Sequence, residues 1–335
     1  MTKRKEDQYA FPCAVIKSNE RTVLSGSDLE RVLDSDKISQ AMAVLGEFGY
    51  GDGKELANPR DFEKVLRAEL DRVYKLVFSI VPDKEEIELF LLPGDYHNAK
   101  VLLKSEFLGI DPTPLLVDTG LMPAEKLTQL VRERNYVFLS TEMKEALTEA
   151  AEIFSKGRDP QEIDIILDKA CYKEMHRRAE LTQNDFIIGY VRLLIDILNV
   201  NTFIRLREIG KPWEFFRKVF MPGGDIEERV FTASYEEGYP QLADKLAPFG
   251  FREVFAQGAL MVQNGGKYTL LEKLCDDMRM KYVKDARYVS FGIEPVCGFL
   301  IAKESEVKNL RMILTGMLAG TAKEITRERL REAYV

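Results

Sequence analysis

An acid, an asparagine and a glycine recur at near-constant spacing three times in this chain, and no other feature restricts its fold as much. The three sets are Asp95, Asn98 and Gly109; Asp196, Asn199 and Gly210; and Glu306, Asn309 and Gly320. Each asparagine is followed by an apolar residue (Ala99, Val200, Leu310) and then by an apolar pair (Leu102-Leu103, Phe203-Ile204, Ile313-Leu314). Upstream, Leu89-Phe90, Tyr190-Val191 and Leu300-Ile301 also agree. Glycine makes up roughly 7% of residues on average, so two further glycines at a set offset arise by chance about once in 200 trials. The asparagines lie 101 and 110 residues apart, about a third of the 335-residue chain each. A period of that size predicts a fold built from three diverged copies of one unit.

The spacing also predicts what the unit is. An acid and an asparagine at i and i+3 share one helix face, and the apolar positions that follow form the neighbouring, buried face. The glycine suits the position just past a helix C-terminus, where the chain turns left-handed. Each asparagine is then at the edge of buried surface, with its amide able to bond a neighbouring helix or loop. One catalytic centre has no use for three equivalent copies, whereas a repeated scaffold does, so these nine residues read as structural repeat positions.

The rest of the chain is also helical in pattern. Asn58-Pro59-Arg60-Asp61 and Asp159-Pro160-Gln161-Glu162 each combine a helix-capping side chain, a first-turn proline and a first-turn acid. Ser27-Asp28-Leu29-Glu30, Asp83-Lys84-Glu85-Glu86 and Thr321-Ala322-Lys323-Glu324 have or approach the capping-box spacing. Apolar periodicity predicts long helices over 59–80, 160–181 and 183–209. Only Tyr288-Val289-Ser290-Phe291 looks strand-like, hemmed in by Gly292 and Pro295. The expected class is all-α with at most short extended pieces.

Composition narrows the function. A net charge of −7 and a pI near 5.3 argue against general nucleic-acid binding, which needs a basic surface. Cys13, Cys171, Cys275 and Cys297 form no C-x-x-C pair and are expected as buried free thiols. The polar start of the chain, Met1 to Gln8, has no apolar signal-peptide core. The most apolar stretch, 186–204, is interrupted by Arg192, Asp196, Asn199 and Asn201, so a buried helix is expected rather than a membrane span.

Recognisable reaction chemistry is missing. His97 and His176 are far apart and outside any metal-ligand spacing. Gly265-Gly266-Lys267-Tyr268-Thr269 and Gly49-Tyr50-Gly51-Asp52-Gly53-Lys54 both fail the phosphate-loop pattern, because tyrosine or Glu55 follows the lysine. No nucleophile elbow or kinase signature occurs. Trp213, the single tryptophan, is expected as a core or helix-staple aromatic. No catalytic residue, cofactor site or metal site is assigned.

The C-terminal region, Glu306-Val307-Lys308-Asn309-Leu310-Arg311, then Glu324-Ile325-Thr326-Arg327-Glu328-Arg329-Leu330-Arg331 and Tyr334-Val335, carries a family resemblance. Leu167-Asp168-Lys169-Ala170-Cys171-Tyr172 and residues 95–104 add to it. The chain resembles, over about 11–335, the C subunit of bacterial and archaeal V-type (A-type) rotary ATPases, whose eukaryotic counterpart is the d subunit. That resemblance implies a funnel of three similar helical domains with pseudo-threefold symmetry, here assigned to 1–115, 116–220 and 221–335. It implies a non-catalytic, cytoplasmic subunit, peripheral on the membrane through its complex. Its expected partners are the central-shaft subunits and the membrane rotor ring of proteolipid subunits. The third copy departs from the others, with Glu306 in place of aspartate and Thr315 where Lys104 and Arg205 stand. A helical-repeat scaffold for some other protein partner is the alternative.

Overall fold

A computed structural model describes residues 7–53, 56–157 and 159–335. The polar start before Asp7, and the lysine and glutamate that end the Gly49 loop, lie outside the described residues. Among those residues no strand occurs, and the chain is all-helical. In order along the chain, α1 is Ala10–Asn19, α2 Gly26–Asp34, α3 Ile38–Gly46 and α4 Phe62–Ile80. Next come α5 Glu85–Glu88, α6 Leu92–Leu108, α7 Ala124–Arg132, α8 Thr141–Gly157, α9 Pro160–Thr182, α10 Asp185–Glu208, α11 Trp213–Val219 and α12 Glu228–Ala233. The remainder is α13 Tyr239–Lys245, a π-helical turn Val254–Ala259 running into α14 Leu260–Gln263, α15 Thr269–Lys284, α16 Glu294–Leu318 and α17 Lys323–Arg329.

Helix starts follow the sequence signals, with exceptions of local chemistry. Asn58 and Asp159 accept the backbone N–H of Arg60 and Gln161 at 2.9 Å each, and Asp83 that of Glu85 at 3.1 Å. After Asn58 the chain makes one 3-10 turn before α4 begins at Phe62. The cap of α2 is Ser25, not Ser27: Ser25 and Asp28 form the reciprocal capping box. The box expected at Thr321–Glu324 does not form; Ala322 precedes α17 with no side-chain cap. Instead Gln183 turns left-handed and Asn184 caps α10 by accepting from Ile187 N. The strand-like run at Tyr288 is the end of a 3-10 turn, Asp285–Tyr288, with Val289 extended after it. Trp213 opens α11 and is 39% exposed, which corrects its expected core position. All four cysteines are buried and free.

By compactness the chain forms two units. One takes in the chain up to Pro82 together with Glu236–Val335, and the other is Asp83–Tyr235. The boundaries follow from which helices pack together. In the second unit α6 packs on α7 and α9. In the first, α16 packs on α2, α3 and α4. Both units also hold helices near the repeat helix in sequence: α10 packs on α9, and α16 on α15 and α17. In the first unit Leu310, Ile313 and Leu314 of α16 join Leu29, Val32 and Leu33 of α2 and Leu66 of α4 in one core. In the second, Ala99, Leu102, Leu103, Val200, Phe203 and Ile204 are buried. Each large apolar side chain buried on this face stabilises its helix by about 1.5–3 kcal/mol. The helix α10 is long and apolar enough to cross a membrane by composition, but half of its most apolar window is buried inside the protein.

Candidate functional site at the repeat joints

Each repeat asparagine does the same thing: its amide clamps one residue of an extended segment through both backbone groups. Asn98 Nδ2 donates to Val117 O at 2.8 Å, and Val117 N donates to Asn98 Oδ1 at 2.9 Å. Asn199 binds Met221 the same way, at 2.8 and 2.9 Å. Asn309 binds Arg331, at 3.1 and 2.9 Å. Only a side-chain amide offers a donor and an acceptor side by side in this geometry. A buried segment outside regular structure otherwise leaves its N–H and C=O unpaired.

The acid three residues earlier holds the next stretch of chain. Asp95 accepts the N–H groups of Leu121 and Met122 at 3.1 Å each. Asp196 accepts those of Asp225 and Ile226 at 2.9 and 3.1 Å. Met122 and Ile226 each stand two residues before a helix, α7 and α12. Glycine precedes both clamped pairs for lack of room: a Cβ on Gly120 or Gly224 would lie 2.1 Å from Oδ1 of Asp95 or Asp196.

In the third copy the partner comes from the far end of the sequence. Glu306 Oε2 accepts the N–H of Leu24 at 2.6 Å, across 282 residues. Leu24 also stands two residues before a helix, α2. The apolar contacts match. As α6 packs on α7 and α16 on α2, Phe203 of α10 meets Phe231 of α12 with ring centroids 5.3 Å apart. In all three cases the acid of the repeat therefore holds backbone two residues before a helix.

The third joint has extra chemistry. Lys303, fully buried, donates to Glu306 Oε1 at 2.8 Å and to Thr22 O at 2.9 Å, and pairs with Glu69 Oε1 at 3.1 Å. Tyr50 donates to Glu306, and its ring lies 5.1 Å from the ammonium. Arg72 holds Glu69 from the solvent side at 2.7 and 2.8 Å. Burial pushes the Glu306 carboxyl above the usual range, against the pull of Lys303.

Each repeat helix ends alike. Gly109, Gly210 and Gly320 have φ of 66°, 68° and 65°. The residue after each donates back across the turn: Ile110 to Ser105, Lys211 to Leu206 and Thr321 to Gly316. A Cβ would meet nothing within 4 Å at any of the three, so backbone conformation rather than space selects glycine. Beside the joints, Lys100 and Lys104 of α6 pair with Asp168 and Asp164 of α9, at 2.7 and 2.6 Å. Arg311 of α16 pairs with Glu63 of α4 at 2.6 Å. His97 contacts the Leu115 carbonyl at 3.1 Å. Among the described residues no group of three or more His, Cys, Asp or Glu is placed to hold a metal.

Burial outweighs the backbone N–H groups at Asp95 and Asp196 and pushes both carboxyls up to about 6, from 3.8. A folded-state pKa above the unfolded one stabilises in full below about pH 3.8, and the contribution is lost as pH rises through about 6. For one group the change is about 3 kcal/mol. Asp196→Asn removes it. The stability difference between native chain and variant is therefore expected to shrink as pH rises from 4 to 7, read by urea unfolding at each pH. A difference that widens with pH would contradict the assignment.

Comparison with known proteins adds the wider context. Residues 12–329 match the family described as ATP synthase (C/AC39) subunit. The chain is 24% identical to the C subunit of the V-type sodium ATPase of Enterococcus hirae over 320 residues, 96% of this chain and 97% of that one. It is 25% identical to the C subunit of the A-type ATP synthase of Methanocaldococcus jannaschii over 343 residues, covering 96% and 86%. With the corresponding A-type protein of Pyrococcus abyssi it shares 22% over 342 residues, covering 97% and 90%.

Proposed function

The chain belongs to the ATP synthase (C/AC39) subunit family, and on that footing we propose that it is the non-catalytic central-stalk subunit of a rotary V-type ATPase. In this reading it links the central shaft to the membrane rotor ring of proteolipid subunits and carries rotation between them. It works at the cytoplasmic face, held to the membrane through the complex. The observation that carries the proposal is the near end-to-end match with relatives named as C subunits of V-type and A-type enzymes. The joints support it physically. Three similar domains, assigned to 1–115, 116–220 and 221–335, closing from third to first would surround an axis with pseudo-threefold symmetry, as a funnel does. The Leu24–Glu306 contact is the link such a closure requires.

A torque-bearing adaptor must not shear. Closely packed helices transmit strain with little deformation. At two joints the connecting backbone is fixed by a two-way amide clamp and a buried carboxylate, and at the third the amide holds Arg331 while Glu306 holds Leu24; such bonds hold direction as well as distance. Mixing the purified chain with the shaft subunits, and separately with the detergent-solubilised ring, is expected to give a stable complex with each on gel filtration. Failure to bind either would sink the proposal, and ATP hydrolysis by the isolated chain would contradict it.

A further inference from the structure

Residues 330–335 belong to no helix, and they lie across the first unit as a peptide lies in a groove. Side chains hold their main chain. Lys273 of α15 donates to Leu330 O, and Arg287 donates to Tyr334 O at 2.9 Å. Asn309 takes both main-chain groups of Arg331, and Asp277 accepts the N–H of Glu332 at 2.7 Å. Three side chains anchor the segment. Leu330 joins the core that contains Leu310 and Ile313. Arg331 is buried and reaches Asp276 at 2.8 Å. Tyr334, only 2% exposed, seats its hydroxyl over Gly298 of α16, where a Cβ would come within 2.9 Å of it. The Arg287 guanidinium lies 5.3 Å from the tyrosine ring. Lys273, Asp276, Asp277 and Lys284 recur at helical spacing, so one face of α15 is given over to the segment, with Lys284 pairing Glu332.

The other two joints show how this one differs. There the clamped residue, Val117 or Met221, leads four residues on into the pair held by the aspartate, and then into a helix. In the third joint Glu306 takes Leu24 instead, so the holds on Arg331 and on Leu24 fall on segments far apart in sequence. Segment 330–335 is kept in place by its own anchors. We propose that α15, Arg287 and α16 form a peptide-binding groove and that 330–335 is its resident ligand. The groove recognises extended peptides carrying a leucine and an arginine, with a tyrosine three residues after the arginine. The main-chain bonds grip any sequence; the Asp276 carboxylate selects the arginine, and the notch at Gly298 selects the aromatic ring. The inference goes beyond the rotary reading and does not depend on it.

The test uses the full chain. Leu330→Ser, Arg331→Ala and Tyr334→Ala together remove the three anchors of the resident segment and leave the groove residues unchanged. A fluorescent peptide with the sequence of residues 328–335 is expected to bind this variant at least about 100-fold more tightly than the native chain, because a tethered segment competes at a millimolar effective concentration. The same peptide with alanine in place of its arginine and tyrosine should not bind. Fluorescence anisotropy reads both, and circular dichroism checks that the variant keeps its helices. Equal binding to native chain and variant, or no binding to a folded variant, would overturn the proposal. Hydrogen exchange of the native chain tests it without any variant. The N–H groups of Arg331 and Glu332 are expected to exchange through an opening that leaves α16 protected. Exchange of these groups only together with α16 would make the segment an inseparable part of the core and would also overturn the proposal.

Discussion

Lys303→Met is expected to lower the unfolding free energy at pH 7 by about 3–5 kcal/mol, the largest effect of any single substitution considered. Lys303 is fully buried and bridges two carboxylates, Glu306 at 2.8 Å and Glu69 at 3.1 Å. Methionine fills nearly the same volume, so cavity formation contributes little. The cost comes from the anion left behind. Arg72 still holds Glu69, but Glu306 keeps only Tyr50 and the Leu24 N–H. Because burial already raises the Glu306 carboxyl, protonation relieves the variant as pH falls. The deficit should therefore shrink in acid. Adding Glu306→Gln and Glu69→Gln should restore much of the loss, since removing a whole buried ion group is often neutral. Urea unfolding of the single and triple variants at pH 5 and 7.5 decides it. A deficit under about 1 kcal/mol, or no recovery in the triple variant, would show that the network is not what closes this joint.

What the sequence discloses and what it hides follow the same physical line. Asn98, Asn199 and Asn309 are legible because they and their glycines lie within or at the end of one helix, where spacing cannot drift. Their partners lie across loops, and loops change length: Asp95 reaches Leu121 over 26 residues, and Asp196 reaches Asp225 over 29. A search at fixed offset therefore passes over Gly120 and Gly224. Leu24 is hidden further, 282 residues from Glu306, with only the change from aspartate to glutamate marking that joint as different. The burial of Lys303 shows only once its neighbours in space are known. The Ser25 cap, by contrast, is in plain view, since Asp28 follows it at the capping-box spacing. Trp213 is misjudged because apolarity alone predicts burial, whereas its helix begins at a turn that leaves the ring half open.

Asn199→Leu tests the amide clamps, with an expected loss of about 2–5 kcal/mol. Leucine has nearly the same size and keeps the helix. It leaves both Met221 backbone groups, now paired at 2.8 and 2.9 Å, without partners in a buried segment. Each buried unpaired group costs about 1–3 kcal/mol. The three copies should not respond equally. Val117, the partner of Asn98, is half-buried, so water can replace part of the lost bonding. Arg331, the partner of Asn309, is buried and is also tied to Asp276 at 2.8 Å, which keeps its segment in place while its backbone goes unpaired. The expected order of destabilisation places Asn199→Leu and Asn309→Leu together, with Asn98→Leu clearly smaller. Combining Asn199→Leu with Asp196→Asn should cost less than the sum of the two. Once either clamp fails, the segment from Met221 to Ile226 is free to move and re-pair its N–H groups with water. Strict additivity would mean that acid and asparagine act as separate bonds rather than as one joint.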